Sequence, residues 1–342
     1  MARSTIRDVA TAAGLSVATV NRVLAGSGTV REATTQRVVE AARKIQFYGL
    51  GALQQRAAAG RVRHRLGVVV QTPHRQFSRA LETQLEAASA DVPDADVRLR
   101  FEHLDDLAPE AMASRMVALG EECDALAVIA AEHPIVSDAI DRLAARGVPV
   151  VALDSPLAAR TMVGYVGLDS WKVGRTSAWA FENLCKSPGK LGILVGTHRY
   201  RCHDLAESGF RSYFREHAND FVLLEPQSTF EADAIARELT EKLLNTHPDL
   251  RGLYVCGGGI GGALAALRAS GRSGKVVTVG YDLLDTTRAG LLDGSLTLVI
   301  SHPYGAIARE TVGALIRAKE NGPTGGAPSV LVPFEIYTRE NI

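Results

Sequence analysis

The chain has 342 residues, of which 46% are hydrophobic, and its 38 Lys and Arg balance 38 Asp and Glu. This length accommodates two or three domains that each bury a core. No segment approaches 18 uncharged apolar residues and the N-terminus lacks the apolar stretch of a secretory leader, so we expect a cytoplasmic protein with no membrane span. The four cysteines are scattered without a C-x-x-C pair, which argues against a zinc site or a redox motif; they are Cys123, Cys185, Cys202 and Cys256.

The balanced net charge conceals an uneven distribution along the chain. Residues 1–65 contain eleven Lys and Arg but three Asp and Glu, and the remainder carries the compensating acidic excess. A basic first region indicates a polyanionic partner. A solvated basic face without any partner would explain the same charge.

Residues 5–25, TIRDVATAAGLSVATVNRVLA, predict two short helices joined by a tight turn. Thr5 and Asp8 have the spacing of a capping box, which places the start of the first helix. Gly14 supplies the turn, and Ser16 caps the second helix. The second helix turns three apolar side chains inward, those of Val20, Val23 and Leu24.

The opposite side of the second helix exposes Val17, Ala18, Asn21 and Arg22 near its N-terminus. A third helix over residues 32–45 closes a three-helix core with an apolar face of Val38, Ala41, Ala42 and Ile45, although Arg31 is a poor cap. This layout is that of a helix-turn-helix, whose second helix enters the major groove with its N-terminus first. A small helical domain that binds another protein is the alternative.

The segment from Thr5 to Tyr48 resembles the N-terminal DNA-binding module of the LacI/GalR transcription regulators, through the pattern A-x-x-A-G-x-S-x-A-T-V-x-R-V-L. The resemblance implies base contacts from Val17, Ala18 and Arg22. It also implies phosphate contacts from a second set, made of Ser16, Thr19 and Asn21. The chemistry agrees, because Arg22 can bridge guanine O6 and N7 whereas Val17 and Ala18 offer only apolar contacts.

Residues 47–64 read as a small, polar and basic linker between residues 1–46 and a body over residues 65–342. In the family that this chain resembles, a leucine from each subunit of the dimer wedges into the minor groove and kinks the operator. Arg56 stands where that leucine would align, and arginine suits a narrow minor groove without unstacking the bases. We therefore expect either that Leu53 takes the wedge role from the adjacent turn or that the operator bends less.

From Leu66 onward, apolar runs alternate with amphipathic stretches, which predicts buried parallel strands and hence an α/β body. The runs are LGVVV, ALAVIA, VPVVALD, LGILVG, LYVCG, VVTVGYD and LTLVIS, and VLVPFEIYT is the last predicted strand. About eleven strands are too many for one small lobe. We expect two lobes, one of residues 65–163 with 298–322 and the other of residues 164–297 with 323–342.

Five segments of the body resemble the effector domain of the same family, which is similar to periplasmic sugar-binding proteins of the ribose type. They are LGVVVQTPHRQFSRALETQLEAA, VPVVALDS, VGYVGLDSWKVG, HDLAESGFRSYF and VGYDLLDTTRAGLLDGSLTLVISHPY. The resemblance implies a sugar or polyol effector in the cleft at the carboxyl ends of the strands. The contacts that it implies are those of Arg75, Phe77, Asp154, Asp282 and His302.

One position departs from the family, because Ala206 stands where relatives tend to have an arginine; Arg201, His203 or Glu207 is expected to compensate. The implied contacts also have structural alternatives. Asp154 and Asp282 would serve equally as caps of the following turns, Phe77 as a core residue, and His302 as a satisfied loop histidine.

The stretch LYVCGGGIGGALAAL has glycines at 257, 259 and 262 in the G-x-G-x-x-G order of a dinucleotide-binding turn. In the family that the chain resembles, this loop presents an Asn-Asp pair to the ligand. Here only backbone N–H groups remain, which suit an anion or a ligand that needs room. We predict that the glycines form a pocket wall. A phosphate-bearing effector is the alternative, and a remote one is an NAD-dependent oxidoreductase with Asp282 on the ribose.

No G-x-S-x-G, H-E-x-x-H or paired Cys/His spacing occurs, and we expect Cys202 and His203 to face different sides of a helix. We therefore predict no enzyme, no cofactor and no metal. A transport-type binding protein is disfavoured by the basic head. Because no heptad tail follows the last strand, we expect a homodimer. Together with the family resemblance, this predicts a transcription regulator, a repressor whose affinity for a palindromic operator in double-stranded DNA is set by the effector.

Overall fold

The computed structural model describes residues 4–25, 30–53, 62–71, 76–93, 95–105, 108–217, 220–322 and 328–342. The chain divides into two compact units, one of residues 1–65 with 89–98 and the other of residues 66–88 with 99–342. Among the helices of the described residues, none has the length and apolarity needed to cross a membrane.

The first unit contains the three predicted helices, α1 (Ile6–Ala13), α2 (Val17–Ala25) and α3 (Glu32–Lys44). The predicted capping box is present, because Thr5 Oγ1 accepts from the Asp8 amide at 3.4 Å and Asp8 Oδ2 accepts from the Thr5 amide at 2.7 Å. Helix α1 ends at Gly14, whose φ of 63° is the left-handed value that glycine adopts freely. Ser16 Oγ accepts from the Thr19 amide at 3.1 Å and so caps α2 as expected.

The apolar faces of these helices meet in one core. The fully or nearly buried members are Val9, Ala10, Ala13, Val20, Val23, Val38, Ala41, Ala42, Phe47 and Leu53. Arg37 closes the α1 end of the core, where its Nη2 donates to the carbonyl of Ala13 at 2.8 Å. The inward positions of α2 and the closing role of α3 are therefore as predicted.

The second unit contains two separate sheets, each packed against helices. The first sheet consists of β1 (Val62–Gln71), β2 (Ala95–Leu104), β3 (Ala125–Val128), β4 (Val150–Leu153), β5 (Gly164–Gly167) and β12 (Ser329–Leu331), in the spatial order β12-β5-β4-β3-β1-β2. The second sheet consists of β6 (Lys190–Val195), β7 (Val222–Leu223), β8 (Gln227–Ser228), β9 (Leu250–Cys256), β10 (Val277–Tyr281), β11 (Leu298–Ser301) and β13 (Glu335–Tyr337). Its order is β13-β11-β10-β9-β6-β7, with β8 also on β6. The central ladders are parallel, whereas β13 runs antiparallel to β11.

The helices of this unit alternate with the strands, as the α/β interpretation requires. They are α4 (Gln76–Ala90), α5 (Pro109–Gly120), α6 (Pro134–Ala145), α7 (Ser170–Leu184), α8 (Arg201–Glu216), α9 (Asp233–Thr246), α10 (Ile260–Ala269), α11 (Asp285–Asp293) and α12 (Tyr304–Asn321). Each sheet with its helices forms a lobe with its own buried core. Each of the seven apolar runs from LGVVV to LTLVIS contains a strand, so the predicted fold class is confirmed.

The predicted limits of the lobes are wrong in three places. Strand β5 pairs with β4 in the first sheet, although its residues were assigned to the second lobe. Strand β11 pairs with β10 in the second sheet, although it was assigned to the first. The run VLVPFEIYT is two short strands: β12 lies in the first sheet and β13 in the second, with Pro333 between them. Buried strands of either sheet have the same apolar pattern, so chain order alone does not reveal which neighbour each one pairs with.

The chain therefore crosses between the lobes three times, after β5, after β11 and after β12. After the second crossing, α12 packs on β3, β4 and β5 of the first sheet. The consequence for function is that the residues next to β11 lie at a crossing point, where side chains of both lobes are within reach.

Candidate functional site

Helix α2 presents its predicted DNA-contacting residues together on one side. Val17 is 40% exposed, and Ala18, Asn21 and Arg22 are also exposed. Two of the predicted phosphate contacts bond to each other, because Ser16 Oγ and Thr19 Oγ1 lie 2.8 Å apart. These side chains form a polar edge beside an apolar tip at the N-terminus of the helix.

The structure places Leu53 differently from the expected minor-groove wedge. Its side chain is fully buried in the core of the first unit, where it packs with Phe47 and the helical residues around it. A leucine held there cannot enter a minor groove unless it leaves that core. Arg56, the other predicted hinge contact, lies outside the described residues.

A cavity of about 470 Å³ opens at the carboxyl ends of the strands in the second unit. Its lining includes four of the predicted effector contacts, namely Phe77, Asp154, Asp282 and His302. This volume lies within the range of small-molecule sites in proteins, roughly 300 to 1,000 Å³. Arg75, a further predicted contact, lies outside the described residues.

His302 joins two carboxylates that come from different sheets. Its Nε2 lies 2.8 Å from Asp154 Oδ1, after β4, and its Nδ1 lies 2.7 Å from Asp282 Oδ1, after β10. The backbone amide of His302 also donates to Asp282 Oδ1 at 3.1 Å. Both aspartates have left-handed backbones, with φ of 64° at Asp154 and 60° at Asp282, a conformation that Asp tolerates better than most residues. The carboxylates thus turn toward the histidine at the point where the chain crosses between lobes.

Electrostatics keep this histidine charged. Burial alone would lower the pKa of His302, but Asp282 and Asp154 raise it well above the usual 6.5. Burial alone would likewise raise the pKa of Asp154, but the charge on His302 lowers it. His302 is therefore held charged between the carboxyl groups of Asp154 and Asp282, and this bridge joins the two lobes.

Phe77 borders the same bridge from the first lobe. The centre of its ring lies 5.6 Å from that of His302 in an edge-to-face arrangement and 5.8 Å from that of Tyr304. The side chain is half-buried and lines the cavity rather than a core. An apolar ring beside carboxylates is a combination that binds the C–H face of a sugar and its hydroxyls together.

A second acid and histidine lie across the cavity, and no sequence pattern predicted the acid. Glu231 Oε1 lies 3.6 Å from His203 Nδ1, and Glu231 Oε2 accepts from the Gly258 amide at 3.0 Å. Glu231 follows the two-residue strand β8 and has a φ of 65°. Neither an apolar run nor a turn signal marks this position in the sequence, so only the folded chain reveals it.

The glycine-rich stretch owes its composition mainly to close packing. A Cβ at Gly257, whose φ is 105°, would lie 2.6 Å from the Cε1 of His203. A Cβ at Gly259 would lie 2.7 Å from that of Ala236, and one at Gly262 would lie 1.7 Å from the carbonyl oxygen of Asp233. The first glycine thus makes room for a ring of the cavity wall, and the other two allow α10 to approach α9. The predicted pocket wall is present, because residues 257–259 line the cavity.

The position of Ala206 explains why no arginine stands there. The side chain is buried where α8 meets α7, and a Cβ at Gly174 of α7 would lie 1.9 Å from the Ala206 carbonyl oxygen. Among the three residues expected to compensate, His203 lines the cavity. Arg201 does not; it pairs with Glu132 at 3.7 Å on the surface. Glu207 pairs with Arg211 instead.

Cys202 and His203, which were expected to face different sides of a helix, both line the cavity at the start of α8. They still form no activated pair. Burial raises the pKa of the Cys202 thiol well above its usual value, which disfavours a nucleophilic thiolate. The nearest bond of Cys202 is through its amide, which donates to Ser155 Oγ at 3.3 Å.

Comparisons with known proteins match each part of the chain separately. The family model of bacterial regulatory proteins of the lacI family matches residues 5–49, and that of the periplasmic binding protein domain matches residues 66–321. The D-apiose import binding protein of Paraburkholderia graminis is 23% identical over 205 residues, which are 59% of this chain and 65% of that protein. The D-ribose/D-allose-binding protein of Pseudomonas aeruginosa is 28% identical over 182 residues, 50% of this chain and 55% of that protein. The chain thus spans less than two thirds of the length of both relatives.

Solved structures agree on the fold of the second unit. An ABC transporter solute-binding protein from Agrobacterium vitis with bound D-fucose has a TM-score of 0.73 at 17% identity, over 81% of this chain and 96% of that one. A periplasmic solute-binding protein from Actinobacillus succinogenes with bound D-allose has a TM-score of 0.71 at 18% identity, over 81% and 98%. The two-lobed periplasmic-binding-protein fold is therefore shown.

Proposed function

Because the chain belongs to the lacI family of bacterial regulatory proteins, we propose that it is a sequence-specific transcription repressor controlled by a small effector of the sugar class. The effector binds in the cavity of the second unit and changes the affinity of a homodimer for a palindromic operator. The observation that carries this proposal is the pairing of an exposed recognition helix with a cavity whose aromatic ring and carboxylates suit a polyhydroxyl ligand.

The operator is read by α2 inserted into the major groove. Arg22 bridges a guanine, Val17 and Ala18 contact thymine methyl groups, and the hydroxyls of Ser16 and Thr19 hold phosphates with Asn21. Two-fold symmetry of the dimer places one such helix in each half-site. With Leu53 buried in the head, Arg56 is the residue that enters the minor groove, and the operator bends less than an apolar wedge would bend it.

The effector bonds to the free edges of the carboxylates that His302 holds in place. Each aspartate uses its Oδ1 for the imidazolium, which leaves Oδ2 to accept from ligand hydroxyls. Phe77 packs on the apolar face of the ligand. Since Asp154 comes from the first lobe and Asp282 from the second, a ligand bound to both changes how the lobes close. In the dimer that change alters the spacing of the two heads and shifts the population between DNA-binding and released states.

A neutral ligand is favoured over a phosphate ester. The lining in the described chain includes four carboxylates and two histidines but no Lys or Arg, and carboxylates repel a phosphate. The relatives named for D-apiose and for D-ribose and D-allose, and the structures with bound D-fucose and D-allose, favour a sugar in the same way. The raised pKa of the Cys202 thiol supports the view that this is a binding site and not a catalytic one.

Two experiments on the full chain test the proposal. Selection from random duplexes is expected to enrich a palindrome, and the protein is expected to sediment as a dimer. A thermal-shift screen of pentoses, hexoses, polyols, their phosphates and NAD is expected to find stabilisation by an unphosphorylated sugar or polyol. Enrichment of no sequence, or stabilisation by a phosphate ester or NAD alone, would overturn the proposal.

A further inference from the structure

We propose that the effector is a disaccharide, with one sugar unit at the His302 bridge and the second unit over the glycine-rich residues 257–261. This inference rests on the function proposed above, because it names the size and class of the ligand in the same cavity. It commits that function to two linked sugar units, which neither the fold nor the family requires. D-fucose and D-allose, the ligands of the similar solved structures, are single sugars.

The volume of the cavity exceeds what one sugar fills. The cavity encloses about 470 Å³. At the packing density of protein interiors, about 0.75, a hexose occupies roughly 200 Å³ and a disaccharide roughly 350 Å³. A single hexose would therefore leave more than half of the cavity to water, whereas a disaccharide fills most of it. Because small-molecule sites bury most of the ligand surface, the larger ligand is the better match.

The cavity wall in the second lobe is also long enough for two units. Lining residues follow the strands β8, β6, β9, β10 and β11, which are parallel neighbours in that order. Neighbouring strands lie about 4.8 Å apart, so the four intervals from β8 to β11 extend roughly 19 Å. A hexose with its hydroxyl groups reaches across roughly two of these intervals. Two linked units side by side thus match the length of the wall.

The His302 bridge lies at one end of this wall. His302 follows β11 and Asp282 follows β10, and the ring of Phe77 lies beside His302. The sugar unit that packs on Phe77 and bonds to the bridge therefore lies over β10 and β11. The ends of β9, β6 and β8 remain for the second unit.

The wall after β9 has few side chains that would fill the cavity. Residues 257–259 and Gly261 line it, and none of them has a side chain. Ile260 is the exception, but its side chain packs on the core of the second lobe, and its Cδ1 would lie 2.8 Å from a Cβ at Gly280. The space beside these residues is therefore open to a ligand.

Gly261, unlike Gly262, is not required by backbone packing. The atoms nearest to a Cβ at Gly261 belong to the side chain of Asp233, with Oδ2 at 2.6 Å. Asp233 is exposed at the start of α9, so its carboxylate can turn aside. The absence of a side chain at 261 thus leaves space beside the cavity that the fold does not demand. The same carboxylate lines the cavity and accepts hydroxyl groups, which suits a second sugar unit.

Calorimetry on the full chain with disaccharides and their constituent sugars tests the inference. The disaccharides are maltose, cellobiose, lactose, melibiose, mannobiose and xylobiose, each compared with its own monosaccharides. At least one disaccharide is expected to bind about tenfold more tightly, or better, than either of its constituents, because only the disaccharide contacts both parts of the wall.

Two substitutions at one position locate the second unit. Gly261→Leu fills the space over the glycine-rich residues and is expected to reduce the ratio of the two affinities to about one. Gly261→Ala is the matched control, because it displaces Asp233 in the same way but adds only a methyl group, and it is expected to keep most of the ratio. Operator binding without sugar shows that both variants fold.

The outcomes separate this inference from the function on which it rests. A monosaccharide that binds as tightly as its disaccharides and changes operator affinity would overturn the inference and leave the repressor function standing. A preference for the disaccharide that survives Gly261→Leu would also overturn it. Binding by none of these sugars would overturn the disaccharide class and count against a sugar effector as well.

Discussion

The DNA-binding helix and the ligand cavity differ in how their residues are brought together. In the first unit, the proposed major-groove contacts all fall between Ser16 and Arg22, so one helical period places them on one side. In the second unit, the cavity takes residues from Gln76 to His302, and its central bridge joins strands of two sheets. The head therefore depends on local sequence, whereas the cavity depends on topology and on charge pairs across lobes.

Removal of the His302 bridge is expected to have the largest effect, because it lowers the stability of the second unit and leaves that of the head unchanged. His302→Ala leaves Asp154 and Asp282 facing each other without a cation, and loss of one partner of a buried ion pair costs about 3 to 5 kcal/mol. The free energy of unfolding of the second unit is expected to fall by this amount while the head keeps its helices. Urea unfolding followed by tryptophan fluorescence reports on the second unit, because both tryptophans, Trp171 and Trp179, lie on α7.

The control is His198→Ala, which removes an exposed histidine of the same lobe and is expected to change little. An equal loss of unfolding free energy in the two variants would show that the bridge stabilises the second unit no more than an exposed histidine does.

The pH dependence of unfolding tests whether the charge on His302 stabilises the second unit. The folded-state pKa of His302 is raised above 6.5, so its stabilising contribution is fully present below pH 6.5 and is lost as the pH rises through the folded value. Each tenfold gain in proton affinity on folding corresponds to about 1.4 kcal/mol of stability. The urea midpoint of the second unit is therefore expected to fall between pH 6.5 and alkaline pH in the wild type. In His302→Gln the fall is expected to be smaller, and an identical fall in both proteins would contradict the bridge.

A glycine substitution tests whether the His203 ring requires the space that Gly257 leaves in the cavity wall. Gly257→Ala places a Cβ 2.6 Å from that ring on a backbone with φ of 105°, whereas Gly147→Ala meets nothing within 4 Å at φ of 82°. Both variants carry the cost of a positive φ, so the difference between them isolates the contact. Overpacking costs about 1 to 3 kcal/mol, and Gly257→Ala is expected to be less stable than Gly147→Ala by this amount. Similar stabilities would mean that His203 moves freely.

A substitution in the head is expected to weaken DNA binding and to leave the stability of the cavity unchanged. Arg22→Ala is expected to weaken operator binding by about 1 to 3 kcal/mol and to relax the choice of one base pair per half-site. Arg43→Ala removes the same charge from the exposed end of α3. It is expected to weaken binding to operator and to scrambled duplexes by the same factor. Fluorescence anisotropy with operator and scrambled duplexes measures both. If Arg22→Ala lost the same affinity for both duplexes, Arg22 would contact phosphate and not a base.

The same contrast decides what the sequence could predict. Thr5, Asp8, Gly14 and Ser16 act on neighbours within a few residues, so their roles in caps and turns follow from spacing alone. Seven strands of the body, β1, β3, β4, β6, β9, β10 and β11, were equally visible as apolar runs. The lobe to which each strand belongs could not be predicted in the same way. Strand β5 pairs with β4 and strand β11 with β10, and no local sequence pattern indicates these pairings.

The cavity was predictable only where the family resemblance reached it. Phe77, Asp154, Asp282 and His302 all line it, but nothing in the sequence indicated that His302 bridges the two aspartates. Glu231 lay beyond prediction because it enters the wall from a loop of left-handed residues after a two-residue strand. The side chains of the cavity meet through tertiary contacts that spacing does not encode.

Reciprocity of operator and effector binding is the decisive test of a repressor controlled through this cavity. The Kd of the full chain for the selected operator is measured with and without the stabilising sugar, and the Kd for the sugar with and without operator. We predict that both constants change by the same factor, between about 5 and 150, and that Asp282→Asn abolishes the response while operator binding remains. A sugar that binds in the cavity and leaves operator affinity unchanged would contradict effector control.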